Sequence, residues 1–77
     1  MKTAIYKAEI STPYGRFIVA VDTIESGAKS DIISAFISDS KCHVGQIRVG
    51  EIKKSSRKLV ADKQLVKGTN WAWIMRA

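Results

Sequence analysis

Two changes of hydrophobic period divide this chain and set what it can fold into. Residues 3–10, TAIYKAEI, alternate: Ala4, Tyr6, Ala8 and Ile10 share one face, and Ile5, Lys7 and Glu9 the other. A period of two is the pattern of a half-buried strand. STPYG follows, where Pro13 fixes its own φ and Gly15 tolerates positive φ, so a turn is expected. Residues 16–22, RFIVAVD, are apolar on both faces, which predicts a central strand and, with the first, an antiparallel hairpin. The period then lengthens. Ile24, Ala28, Ile32, Ala35 and Phe36 fall on one helical face, with Ile33 and Ile37 widening it, and predict a helix over 24–38. Asp22 or Thr23 is the expected N-cap, with Glu25 closing a capping box, and Gly27 suggests a close approach of helix to strand.

Alternation returns at 43–53, HVGQIRVGEIK, with Ile47 and Val49 inward and Gln46 and Arg48 outward. Gly45 and Gly50 there are candidates for bulges or close backbone contact. KKSSRK, 53–58, reads as a basic turn. LVADKQLV, 59–66, suits a bent strand or a short helix, and the Gly68-Thr69-Asn70 turn that follows favours the strand. WAWIM, 71–75, alternates again and puts Trp71, Trp73 and Met75 on one face. The predicted order is β-β-α-β-β-β: an α+β domain in which a single helix packs on an antiparallel sheet of four to five strands.

At 77 residues the chain is read as one domain, 1–77. A domain of this size buries only roughly 60% of its unfolded surface, leaving little stability for a strained catalytic cleft. Cys42 is the sole cysteine and His43 the sole histidine. One of each excludes an internal disulfide and cannot complete a zinc site of about four ligands. Adjacent strand residues also point to opposite faces, so Cys42 is expected as a small buried thiol and His43 at the surface. No cofactor or metal is expected. No phosphate loop or nucleophile elbow occurs, and the acids are scattered, so an enzyme is not expected. No signal-peptide pattern and no run of about 18 apolar residues occurs. With one free thiol, the chain is expected in a reducing cytoplasm and not in a membrane.

Charge carries the functional expectation. Residues 1–45 hold five cations and five acids, whereas 46–77 hold eight cations and two acids, which accounts for the whole net charge of +6. Lys53, Lys54, Arg57 and Lys58 cluster within six residues, and Lys63 and Lys67 follow. Charged turns keep sheet edges soluble, which explains a few lysines. A one-sided excess is better explained by contact with a polyanion, either nucleic acid or an acidic protein surface. Trp71 and Trp73 would form a base-stacking platform if exposed, or fill the core if buried, which a small domain favours. No recognition-helix pair is present to read duplex sequence.

The layout, together with MKTA at the first strand, ESGAKS at the helix start, KCHVGQIRV before the next strand and a tryptophan-bearing final strand, resembles the very small phage-encoded anti-CRISPR proteins. Within that group it is similar to those whose β-β-α-β-β-β domain binds backbone subunits of the type I-F surveillance complex. The resemblance implies inhibition by occupancy, in the cytoplasm of a phage host, with the protein lying on the nucleic-acid path of a CRISPR effector complex. It implies Lys29 and Arg48 as contact residues. Lys53, Lys54, Arg57, Lys58, Lys63 and Lys67 are added by the charge pattern. Three partners are thus weighed: a CRISPR effector complex or other host protein, DNA or RNA held without strong sequence preference, and a second copy paired along a sheet edge.

Overall fold

The computed structural model describes residues 2–61, 65–68 and 71–77, and at 65–67 the strand path alone. Strands β1 (Ala4–Thr12) and β2 (Gly15–Thr23) form the expected hairpin, in register from Ala4↔Thr23 to Thr12↔Gly15. Pro13 and Tyr14 bridge them. Gly15 follows with φ 139°, a conformation that favours glycine. The Thr12 hydroxyl holds the turn, donating to the Gly15 carbonyl at 2.9 Å and accepting from the Tyr14 N–H at 3.1 Å.

β2 lies centrally, between β1 and β6 (Ala72–Arg76), as its two apolar faces require. Ala8, Ile10, Val19, Val21, Ala72 and Ile74 project to one side. There they meet Ile32, Ala35 and Phe36 of helix α1 (Ala28–Asp39), whose Ala28, also on the stripe read from the sequence, is buried as well. The helix starts later than expected. Residues Glu25–Gly27 form a 3-10 turn, Ile24 is extended, and no side chain caps either start. Asp22 and Thr23 are unavailable as caps because both remain in β2, opposite Ile5 and Ala4. A Cβ on Gly27 would lie 3.3 Å from the Thr23 hydroxyl, so the step from strand to helix is tight there.

The second half departs further from the sequence reading. The expected strand over 43–53 is broken. Residues 43–47 close on themselves: the Gln46 N–H donates to the His43 carbonyl, and the His43 N–H to the Gln46 side-chain oxygen, both at 2.9 Å. Strand β3 (Arg48–Val49) and strand β4 (Lys53–Ser55) then run in succession along the outer edge of β1. Between the pairs Ile10↔Val49 and Lys7↔Lys53, β1 supplies two residues and the edge supplies three, Gly50, Glu51 and Ile52. The extra residue is a bulge. Gly50 sits in it, its N–H 2.8 Å from the Glu9 carbonyl, and a Cβ there would come within 3.3 Å of the same oxygen. Gly45 has open space around it.

The basic turn at 53–58 and the strand at 59–66 are also corrected. Lys53 and Lys54 belong to β4, and Arg57–Ala61 is a short helix, α2. Ser56 starts it, accepting from the Leu59 N–H at its hydroxyl and from the Val60 N–H at its carbonyl. Val60 is buried on the sheet face away from α1, with Ile5, Ala20, Trp73 and Met75. Strand β5 (Leu65–Gly68) pairs with β6, and Gly68 lies in it opposite Trp73. Residues 62–64 of the expected strand and 69–70 of the expected turn lie outside the described residues. The sheet order is β3/β4–β1–β2–β6–β5, antiparallel at every pairing. This is the expected α+β fold, with one main helix over a sheet of five strand positions and a small second helix on the reverse face.

Candidate anion-binding face

Strand alternation assigns the polar side chains of β1. Since Ala8 and Ile10 face α1, Lys7, Glu9 and Ser11 project to the reverse face, as Ile5 does. Cross-strand partners share a face, so Arg16 and Arg48 (opposite Ser11), Ile18 (opposite Glu9) and Lys53 (opposite Lys7) project there too. α2 covers only the part of this face around Trp73 and Ala20. Beside it lies an open groove of about 460 Å³, with Ile18 in its floor and Lys7, Glu9, Ser11, Arg48, Glu51 and Lys53 among its walls.

The groove is electrostatically unbalanced. Lys7 and Lys53 are directly opposed across β1 and β4, a like-charge arrangement that destabilises a strand pair by up to about 1 kcal/mol. Two acids lie among these cations. Glu9 is 3.4 Å from Arg16, and Glu51 is 3.9 Å from Lys53. Both pairs are well exposed and contribute little to stability. Lys7, Arg48 and Lys53 against Glu9 and Glu51 give three positive and two negative charges, a net of +1 in the groove, and Arg16 adds a further cation on the same face beside Glu9. An anion between Lys7 and Lys53 would relieve their repulsion.

The residues singled out in the sequence do not all converge here. Arg48 and Lys53 line the groove. Lys54, next in the strand, is opposite Tyr6 on the α1 side, its Nζ 6.0 Å from that ring's centre. Lys29 stands exposed on α1, across the sheet from the groove. Arg57 is exposed but tethered: its guanidinium bonds the Asp22 carboxylate and lies 5.4 Å from the centre of the Trp73 ring. Lys58 is exposed on α2. Lys67 is in β5, paired with Ile74 at the sheet's opposite edge, and Lys63 lies outside the described residues. The cations that are contiguous along 46–77 are therefore spread over both faces and both edges. Lys7 is the residue sequence reasoning missed. It belongs to the neutral front half, and only the β1–β4 pairing brings it to Lys53.

The tryptophans separate as well. Strand β6 begins at Ala72, so Trp71 precedes the alternation and is 46% exposed, while Trp73 is 7% exposed beneath α2. The expected shared face is thus corrected, and the two-ring stacking platform does not form. Cys42 is buried and His43 exposed, as expected. Among the described residues, no group of three or more His, Cys, Asp or Glu side chains is placed to hold a metal ion. Among them, too, no helix is long and apolar enough to cross a membrane. Comparison with protein-family models, with curated proteins and with solved structures finds no match.

Proposed function

We propose that this is a non-enzymatic binding protein that acts by occupying an anionic surface with the reverse face of its sheet. The observation that carries the reading is the opposed Lys7–Lys53 pair with Arg48 beside it, over a groove left open by α2. Cations on neighbouring strands can meet a row of phosphates together, and a backbone-reading contact needs no base recognition. Nucleic acid, bound without strong sequence preference, fits this groove. The test is direct titration at low salt with a short DNA and a short RNA: measurable binding is expected, and its absence for both removes the reading.

The resemblance gives the proposal a biological form, an inhibitor of phage or mobile-element type that occupies the nucleic-acid path of a CRISPR effector complex in the host cytoplasm. Arg48 supports this version, being both a residue the resemblance implies and a wall of the groove. Pull-down with purified effector complexes tests it. Co-purification that weakens when Arg48 is replaced by Ala is the expected result, and no complex with any of them at low salt contradicts it.

A further inference from the structure

We propose that a second cavity, on the α1 side of the sheet and independent of the basic groove, binds a small aromatic carboxylate. It measures about 490 Å³, within the range of roughly 300–1,000 Å³ usual for small-molecule sites. It lies where three strand ends meet, the finish of β1, the start of β2 and the finish of β6, under the last turn of α1.

The floor is apolar and aromatic. Phe17 and Phe36 meet with ring centres 5.4 Å apart and planes at 50°, and Ile74 and Cys42 complete it. Phe36, Ile74 and Cys42 are buried, whereas Phe17 is only partly covered. A tilted pair of rings offers both a face and an edge to a third, and such contacts add to simple burial. Tyr14, exposed at the β1–β2 turn, stands at the mouth.

The rim is charged. Arg76, opposite Phe17 across β2 and β6, shares its face, and Lys41 lies on the loop after α1. Asp39 is the one carboxylate among the described lining residues, so two cations outnumber it. An arginine fork suits a carboxylate. A cationic ligand would face two like charges, and a neutral one would leave the rim unused. An apolar ring with one carboxylate satisfies both the floor and the rim.

The test uses the whole protein, with indole-3-acetate as probe and indole-3-ethanol as its neutral counterpart, followed by amide chemical shifts. Indole-3-acetate is expected to shift residues around Phe17, Phe36, Cys42 and Ile74. It should bind about tenfold more tightly than the alcohol, the effect of one hydrogen bond to a charged group. Arg76→Gln, an exposed change that spares the core, should reduce the acid to the alcohol's affinity, and Lys2→Gln should not. Absence of shifts at these residues with millimolar probe overturns the proposal. So do shifts centred on Lys7 and Arg48, equal affinity for acid and alcohol, or equal effects of the two variants. Shifts centred on Lys7 and Arg48 would report anion binding in the basic groove, whereas the other outcomes leave that groove's ligand untouched.

Discussion

Trp71 and Trp73 show how much a single strand boundary decides. Two positions apart in a continuous strand they would share a face. Because β6 starts between them, one ring is half exposed and the other lies under α2 with Arg57 across it. Trp73→Ala removes a buried ring and leaves Val60, Met75 and Arg57 without their common partner, which should cost about 3–5 kcal/mol in urea unfolding. Trp71→Ala should cost under about 1 kcal/mol. Equal losses would mean that the boundary is misplaced. Arg57 carries a related lesson. Its charge reads as part of a basic cluster, yet its guanidinium serves the fold by joining α2 to Asp22 and Trp73. A linear sequence does not tell a cation displayed to solvent from one satisfied by a carboxylate 35 positions away.

At the scale of elements, the hairpin and α1 were legible because nine- and twelve-residue segments hold enough turns of their period to be recognised. α2 was not, since five residues span little more than one helical turn. Its available signal was Ser56 ahead of Arg57, Lys58, Leu59 and Val60, an N-cap followed by competent helix formers. The turn at 43–47, ahead of β3, was hidden for another reason. His43 to Lys53 alternates well enough for one strand, but the Gln46 side chain satisfies the His43 N–H locally and the chain turns instead. If α2 is the cover of the second core, Ser56→Ala should destabilise by about 1 kcal/mol. Val60→Ala should destabilise by about 2 kcal/mol, from lost burial plus the cavity left behind. Thermal unfolding checks both; no change from Val60→Ala would show that α2 does not pack on the sheet.

For the molecule as a whole, the division into a neutral front and a cationic rear does not survive as a division of the surface. The rear cations scatter, and the groove's cations are Lys7 of the front with Arg48 and Lys53 of the rear. The asymmetry did point to a cationic surface, and two of its residues lie in the groove. Which others join them depended on strand pairing, which composition cannot supply. The same β3/β4 edge is short, bulged and lysine-bearing, features that resist pairing with another sheet and count against a second copy docking along it. What distinguishes this account from a simple appeal to net charge is position. Two triple variants of identical net charge therefore test it: Lys7, Arg48 and Lys53 to Ala, against Lys29, Lys41 and Arg76 to Ala on the α1 side. In salt titrations of single-stranded DNA binding, the groove variant should flatten the dependence of log affinity on log salt by about two units, and the α1-side variant by far less. Equal flattening by the two would contradict the account, since binding would then follow total charge and not the groove.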